Sequence, residues 1–324
     1  MVKAIQIDEF GGPEVMRWRD INLPDLGPGT ALIRHEAVGL NFIDTYHRSG
    51  SYPLELPAGL GTEAAGIVEA VGAGVDLIGI GDRVAYVGLP PGAYAEQRVF
   101  PADRLVKIPA AISMQTAAAA MLKGLTAWYL VRRSYRAQSG DTVLLYAAAG
   151  GVGLIAGQWA ASLGANVIGV VSTEEKEVLA RANGCRDVVR ADDPKFVDHV
   201  RDLAGGDGVA AVYDSVGKDT FIQSLDCLRP HGTMVTYGNA SGAVEPFSPL
   251  ELARRGSLFV TRPVLFDFLR QRVDLEVAAG ELLGLIEAGT INIQINQTYA
   301  LEDAVQAHID LEARKTTGST ILIP

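Results

Sequence analysis

The stretch Gly140-Asp141-Thr142-Val143-Leu144-Leu145-Tyr146-Ala147-Ala148-Ala149-Gly150-Gly151-Val152-Gly153 runs on into Leu154-Ile155-Ala156-Gly157-Gln158-Trp159-Ala160-Ala161-Ser162-Leu163-Gly164-Ala165. A polar turn, a short apolar β-rich run, a cluster of small residues and a long apolar segment closed by glycine predict strand, phosphate loop and helix in succession. The small residues at 148, 150 and 153 fit the Gly-x-Gly-x-x-Gly spacing, with alanine in the first slot. That spacing lets the backbone turn tightly, approach a pyrophosphate and pack helix on strand. The helix then begins at the phosphate, with unpaired N–H groups and the positive end of its dipole facing the anion. A tight strand-to-helix turn needs small residues even where nothing binds, so the triplet gains its weight from its surroundings.

Those surroundings alternate strand and helix from residue 142 to about 260. Strand candidates lie at 142–146, 166–171, 188–189, 209–214, 233–237 and 258–261, and helical segments at 152–163, 174–182, 194–203, 219–228 and 249–255. Six strands with crossover helices make a doubly wound parallel sheet, an α/β Rossmann unit. The chain before it is β-rich, with short strands at 31–38, 66–71 and 83–87 separated by Gly, Pro and Asp turns, as in a compact barrel-like domain. A helix over 113–122, with Ser113 as N-cap, breaks that rhythm, and the domain switch is placed just after it. Beyond 260 come a helix at 275–288, a strand at 291–299, a helix at 301–313 and a final strand at 319–323. The last strand has no place in a six-stranded sheet, so the chain is expected to cross back and complete the first domain. The expected division is therefore 1–124 with 266–324, and 125–265.

A chain of 324 residues exceeds what one core usually holds, which agrees with two domains. A formal charge of −10 argues against nucleic acid or an anionic membrane surface as partner, because neutralising phosphates takes clustered Lys and Arg. Met1-Val2-Lys3-Ala4-Ile5-Gln6-Ile7 already alternates like a strand rather than a signal sequence, and no apolar run approaches a membrane span. A soluble, cytoplasmic protein is expected. Cys185 and Cys227 are the only cysteines, too few for a disulfide framework or a four-thiolate zinc site.

Several short blocks carry a resemblance along nearly the whole chain. They are Gly39-Leu40-Asn41-Phe42-Ile43-Asp44-Thr45-Tyr46, Gly61-Thr62-Glu63-Ala64-Ala65-Gly66, Gly81-Asp82-Arg83-Val84, Lys123-Gly124-Leu125-Thr126-Ala127, Ala148-Ala149-Gly150-Gly151-Val152-Gly153 and Tyr213-Asp214-Ser215-Val216-Gly217. Tyr237-Gly238-Asn239-Ala240-Ser241-Gly242 and Val260-Thr261-Arg262-Pro263 follow. In order and spacing the chain resembles the NADPH:quinone oxidoreductases, the zeta-crystallin-like, zinc-free branch of the medium-chain dehydrogenase/reductase superfamily. The resemblance implies a GroES-like catalytic domain formed by both chain ends around the inserted Rossmann domain, and a homodimer paired through the Rossmann edge, here the apolar segment 257–266.

Catalytic zinc needs three protein ligands from Cys, His, Asp or Glu and an open fourth position. Zinc-dependent relatives hold a cysteine near the position of Asn41 and a histidine at that of Thr62, and both are missing here. Glu63 is expected to hydrogen-bond inside its domain, and no metal is expected. Without a Lewis acid, alcohol oxidation is disfavoured, whereas hydride transfer to an electron-poor acceptor such as a quinone or an enone stays feasible.

The nucleotide is read from the end of the second Rossmann strand, where an NAD enzyme usually places an acid against the ribose and an NADP enzyme leaves room for a phosphate. Here Val170-Val171 is followed by Ser172-Thr173-Glu174-Glu175-Lys176, with hydroxyls at the strand end and Lys176 one helical turn on, which favours NADPH. Glu174 and Glu175 are expected to favour the helix start. The resemblance adds Arg314 to the same phosphate, while Ala191 stands where relatives often have tyrosine. It implies Ala149, Gly150, Gly151, Val152 and Gly153 at the diphosphate, with Ser215, Val216 and Gly238 along the nucleotide. It further implies Asn41, Phe42, Asp44, Tyr46, Lys123 and Tyr129 at the nicotinamide from the catalytic side, and Asn239, Ser241, Gly242, Thr261 and Arg262 from the Rossmann side. Thr126 is counted among the residues acting on the reaction.

Asn-x-x-Asp-x-Tyr is read as three polar groups on a loop after a strand, suited to orienting a carboxamide and a carbonyl. Tyr46 or Tyr52 is the candidate donor to an oxygen that becomes negative, and packing at the rim is the competing role for Tyr46. Asp44 serves equally as a turn-stabilising carboxylate. Lys123 either binds the cofactor or is a solvated helix-end charge. The expected activity is direct NADPH-to-quinone hydride transfer without metal or flavin. An enone or 2-alkenal double-bond reductase, a structural or RNA-binding protein retaining an NADPH site, and a non-catalytic NADPH sensor remain as alternatives.

Overall fold

A computed structural model describes the whole chain, Met1–Pro324, and divides it into two compact units. The first holds Met1–Leu125, Leu269–Gly289 and Ile293–Pro324, and the second holds Thr126–Phe268 with Thr290–Asn292. In chain order the first unit opens with strands β1 (Val2–Ile7), β2 (Arg17–Ile21) and β3 (Thr30–Leu40), helix α1 (Phe42–Ser49), and strands β4 (Ala58–Gly59), β5 (Glu63–Val71), β6 (Arg83–Val87), β7 (Gln97–Pro101) and β8 (Val106–Lys107). Helix α2 (Met114–Tyr129) follows. Ser113 caps it as expected, its hydroxyl accepting the Thr116 N–H at 3.0 Å. The helix outruns the predicted stop at 122 because Gly124 does not break it. A Cβ there would meet Leu282 Cδ2 at 2.5 Å, so this glycine serves close packing within a continuing helix.

The second unit continues with strand β9 (Thr142–Leu145), helix α3 (Gly151–Ser162), strand β10 (Asn166–Val171), helix α4 (Glu174–Ala182), strand β11 (Cys185–Arg190) and helix α5 (Phe196–Leu203). Strand β12 (Val209–Asp214), helix α6 (Phe221–Asp226), strand β13 (Leu228–Thr236), helix α7 (Leu250–Arg254), strand β14 (Phe259–Thr261) and helix α8 (Leu265–Phe268) complete the series. All six strands run parallel in the order β11-β10-β9-β12-β13-β14. The order reverses direction at β9, and this crevice outside the strand ends is where doubly wound sheets bind ligands. Strand β11 is longer than the apolar pair 188–189, because its ladder to β10 includes the charged Asp187 and Arg190. Strand β14 is shorter than the apolar segment 257–266 suggested. Pro263 follows it, and a proline supplies no N–H to a ladder.

The chain then returns to the first unit through helix α9 (Arg272–Glu287), strand β15 (Ile295–Ala300), helix α10 (Ala304–Glu312) and strand β16 (Ser319–Ile323). Strand β16 pairs antiparallel with β3 and parallel with β15 in the sheet β15-β16-β3-β5-β6-β8, to which β7 adds by pairing with β3. The final strand thus completes the first unit, as its exclusion from a six-stranded sheet required. Strands β2, β1 and β4 form a separate small sheet. Ile5, Ile33, Leu40, Leu60, Tyr86, Leu105 and Leu322 meet in one core.

That core admits a buried histidine. His35 Nδ1 lies 2.7 Å from the Ala95 carbonyl, which only accepts, so Nδ1 carries the proton and Nε2 receives the Tyr86 hydroxyl at 3.0 Å. Burial, and secondarily the Arg98 guanidinium, hold its pKa down at about 4. Burial lowers His47 to about 4 and His308 to about 3, and raises Asp44 to about 7. An unfolded chain protonates its histidines near 6.5, so below that pH it takes up protons the folded state refuses, and stability falls. Asp44 opposes this, since the folded state already holds its proton below about 7. Asp214, raised by the same kind of burial, opposes it too, and three histidines against two carboxyls leave a net loss, at about 1.4 kcal/mol per pH unit for each proton. The urea midpoint should be highest near neutrality and fall progressively between about pH 6.5 and 4, whereas a midpoint constant over that range would contradict the buried neutral imidazoles.

Candidate functional site

In the first unit the polar candidates converge at the end of β3. Asn41 is the N-cap of α1, with extended φ −137° and ψ 155°, and the Asp44 carboxylate accepts the Asn41 N–H at 2.9 Å. The Asn-x-x-Asp segment is therefore a helix start, not the loop expected from sequence. Its capping-box spacing was the available signal. Phe42 and Tyr46 pack at a tilt of 54° one turn apart with centroids 6.0 Å apart, and Tyr52 lies 5.2 Å from Tyr46. Tyr46 is half-buried and Tyr52 is at the surface.

Behind this helix lies a fully buried carboxylate. Glu63 Oε1 accepts from Asn41 Nδ2 at 2.7 Å and from Lys123 Nζ at 2.9 Å, and Oε2 accepts the Leu122 N–H at 2.5 Å. Gly39 makes room for it, since a Cβ there would lie 2.1 Å from Glu63 Oε1. Lys123 is therefore no solvated helix-end charge. Its side chain is buried in an ion pair, and removing the ammonium would leave an uncompensated buried carboxylate at about 3–5 kcal/mol.

Asp44 gathers further donors. Its Oδ2 accepts the Tyr94 hydroxyl at 3.0 Å, and its Oδ1 receives the Thr62 hydroxyl at 3.3 Å. Desolvation raises its carboxyl to about 7 against the hydrogen bonds from Asn41 and Tyr94, with the Glu63 charge adding to the rise and Lys123 opposing it. Tyr94 and His308 were not singled out from sequence, because nothing local marks an aromatic and a histidine 214 positions apart as neighbours.

The donor set tests the metal. Asn41, Thr62 and Glu63 stand together, but an amide and a hydroxyl are poor zinc ligands and the one carboxylate is occupied by Lys123. No three His, Cys, Asp or Glu side chains are grouped to hold an ion, and both cysteines are buried in the second unit. The residues present do not fit zinc.

In the second unit β9 runs through Ala147, at φ +50°, to the N-cap Gly150. The Gly150 N–H bonds to the Ala147 carbonyl at 2.8 Å, closing the turn. At Gly153 a Cβ would lie 2.3 Å from that carbonyl oxygen, so no larger residue allows α3 to approach the strand this closely. The first helical bond runs from Leu154 to Gly150, which leaves the N–H groups of Gly151, Val152 and Gly153 ahead of it. Ala149 is buried beside them.

The neighbouring strand ends are locked together. Asp214, at the end of β12, accepts from the Val216 N–H at 2.7 Å, the Gly217 N–H at 3.2 Å, and the hydroxyls of Thr220 at 2.7 Å and Ser224 at 3.3 Å, fixing the Ser215–Val216 turn. The next strand end packs on it, since a Cβ on Gly238 would lie 2.2 Å from the Ser215 carbonyl. Ser241 donates its hydroxyl to the Val216 carbonyl at 2.9 Å, and the Gly242 N–H bonds to the Asn239 carbonyl at 2.9 Å. Arg262, one residue past Thr261 and β14, donates to the Thr236 carbonyl at 2.9 Å. Tyr129, in the last turn of α2, stacks on Phe268 at 5.1 Å, and Thr126 is buried one turn earlier.

At the end of β10, Ser172 is exposed and Thr173 caps α4, accepting the Lys176 N–H at 3.3 Å. Lys176 Nζ reaches Ser172 Oγ at 3.4 Å. Arg190, at the end of β11, joins them by donating to the Ser172 carbonyl at 2.5 Å, and its Nε lies 3.6 Å from the exposed Asp192 carboxylate. Sequence reading missed Arg190 because strand β11 appeared to end at 189. Glu174 and Glu175 are exposed on the first turn of α4, and Ala191 follows Arg190 at the surface. Arg314 belongs to the first unit, in the left-handed turn that ends α10 at φ +59°.

A GroES-like unit built from both chain ends, with an inserted parallel six-stranded unit carrying a glycine phosphate turn, defines the medium-chain dehydrogenase/reductase class. Residues 27–110 match the alcohol dehydrogenase GroES-like domain and residues 151–267 the zinc-binding dehydrogenase domain. The chain is 50% identical to the quinone oxidoreductase of Pseudomonas aeruginosa over 100% of both chains, and 43% identical to the 2-haloacrylate reductase of a Burkholderia species over 100% of this chain and 99% of that one. It superposes on the Escherichia coli quinone oxidoreductase complexed with NADPH at a TM-score of 0.97 and 46% identity, covering 99% of this chain and 100% of that chain. The chain belongs to the quinone oxidoreductase family, the zinc-free branch of that superfamily.

Proposed function

We propose that this protein is an NADPH-dependent quinone reductase that passes hydride directly to its acceptor without metal or flavin. The observation that carries the reading is the pair of anion-ready places on one sheet edge. The phosphate turn at 147–153 suits a diphosphate, and Ser172, Lys176 and Arg190 suit a ribose phosphate. Likeness to the Escherichia coli enzyme complexed with NADPH supports the same nucleotide. NADPH supplies a hydride from its nicotinamide ring to an electron-poor acceptor.

In this reading the chain binds and orients. Gly151, Val152 and Gly153 offer backbone N–H groups to the diphosphate, with Ala149 and Gly150 shaping the turn. In the second unit Ser172, Thr173, Lys176 and Arg190 take the 2′-phosphate, a role that the family resemblance extends to Arg314 of the first unit. Ser215, Val216, Gly238, Asn239, Ser241, Gly242, Thr261 and Arg262 line the nucleotide on the strand-end side, and Asn41, Phe42, Tyr46, Lys123 and Tyr129 serve the nicotinamide. Lys123 acts there by holding Glu63 and through it Asn41. The first unit offers Asn41, Asp44, Tyr46 and Tyr52 to the reaction, with Tyr46 or Tyr52 donating to the oxygen that becomes negative, and the second unit offers Thr126 and Arg262.

The protein acts in the cytoplasm as a homodimer through the sheet edge 257–266, where Phe259 is 61% exposed on the outermost strand. The charge of −10 speaks against a nucleic-acid partner, and no helix is long and apolar enough to cross a membrane. The 2-haloacrylate reductase relative favours activated double bonds as a second acceptor class.

Anaerobic oxidation of NADPH with 1,4-benzoquinone, naphthoquinones and enones, without added metal, should show quinone turnover that a chelator leaves intact. Inactivity with every acceptor, or loss on chelation, would overturn the reading. Arg190→Ala should raise the KM for NADPH roughly ten-fold, about 1.4 kcal/mol of binding, and leave that for NADH unmoved. An equal change for both nucleotides would remove Arg190 from the phosphate.

A further inference from the structure

A chain of buried polar side chains in the first unit reaches from Asp44 to the C-terminal helix α10. Tyr94 donates to Asp44 Oδ2 at 3.0 Å, and the Tyr94 oxygen lies 3.1 Å from His308 Nε2. His308 Nδ1 lies 2.8 Å from Arg48 Nη1. Arg48 also donates to Glu312 at 2.8 Å and to the Gly11 carbonyl at 3.1 Å. Asp44, His308, Tyr94 and Arg48 are each 2% exposed or less.

The proton positions along this chain follow from Arg48 alone. A guanidinium only donates, so His308 Nδ1 must accept and the single proton of the neutral ring sits on Nε2. Nε2–H then donates to the Tyr94 oxygen. The Tyr94 proton cannot turn back toward His308 and stays directed at Asp44 Oδ2. That oxygen already accepts the Asn41 N–H as well. A proton bound by Asp44 is therefore confined to Oδ1, where Thr62, at 3.3 Å, is the facing hydroxyl and can turn to accept. The same donor-only guanidinium closes the far end, so the chain is a fixed-direction relay and not a wire to solvent.

We infer that Arg48, His308 and Tyr94 are positioning residues that confine the proton of Asp44 to its Thr62-facing oxygen and set the pH at which that proton leaves. The charged and titratable groups acting on Asp44 are Tyr94, Glu63 beside Thr62 and Lys123 on α2, with His308, Arg48 and Glu312 following in turn behind Tyr94. Burial places the Asp44 titration near 7, inside the working range of an enzyme, so its proton state is free to govern turnover. Quinone reduction takes up one proton with each hydride, and Asp44 with Thr62 is the buried pair arranged to hold one. The significance for catalysis rests on the quinone reductase reading, whereas the relay itself is a property of the resting protein.

The test follows the Asp44 carboxyl by carbon-13 NMR in protein labelled at the aspartate carboxyl carbon, the resonance being assigned with Asp44→Asn. Tyr94→Phe removes the donor to Oδ2 and should move the titration upward by about one pH unit. Arg48→Gln, whose amide can accept as well as donate, releases the His308 tautomer and should move it in the same direction. Arg48→Lys keeps a donor-only cation and should hold it near the wild-type value. The pH dependence of kcat/KM with 1,4-benzoquinone should shift with the titration while the KM for NADPH stays put. A titration unmoved in both Tyr94→Phe and Arg48→Gln, or a loss of activity equal at every pH, would overturn the relay. Absence of quinone turnover in wild type would instead count against the proposed function, because the NMR titration does not depend on it.

Discussion

The approach of helix α3 to strand β9 at Gly153 is the constraint on which the second unit depends. With the Ala147 carbonyl 2.3 Å from where a Cβ would stand, the helix can start this close to the strand only because that side chain is missing. The close start aims the unpaired N–H groups of the first turn at the sheet edge. The neighbouring strand ends repeat the device, Gly238 packing against the Ser215 carbonyl while Asp214 fixes the intervening turn. An edge made of backbone donors, held by packing and not by side chains that could rotate, needs little reorganisation when an anion arrives.

The first unit depends on a different economy. It buries Glu63 and Asp44 close together, and the two are kept apart in character by their partners. Glu63 has Lys123, Asn41 and a backbone N–H, and so stays with its counter-ion. Asp44 has neutral donors and no direct cation, and burial pushes its carboxyl toward neutrality. Two carboxyls thus sit in one buried cluster with different partners, one ion-paired and one held by neutral donors. The cluster is also why α1 begins where it does, since Asn41 caps the helix with its backbone and reaches Glu63 with its amide.

Much of this was legible in the sequence, and unevenly so. The alternation from 142 to 260 and the small residues at 148, 150 and 153 located the nucleotide unit, because period and glycine chemistry are local signals. The return of strand 319–323 to the first unit followed from counting strands. What escaped was long-range or end-of-element. Arg190 fell just past an apolar strand core, Lys123 appeared at the end of a helix that in fact continues through Gly124, and the asparagine-to-tyrosine segment was a helix hidden by its polarity. Tyr94 and His308 meet only after the C-terminal helix docks, and nothing near either in the chain announces the other.

The central claim is that the glycine turn and the ends of β10 and β11 hold a phosphorylated dinucleotide. A crystal structure of the protein with NADPH tests it most directly. The diphosphate should lie on the N–H groups of Gly151 to Gly153, with the 2′-phosphate within about 4 Å of both Lys176 and Arg190. A nucleotide bound away from that turn, or a 2′-phosphate facing solvent with neither cation in reach, would contradict the account.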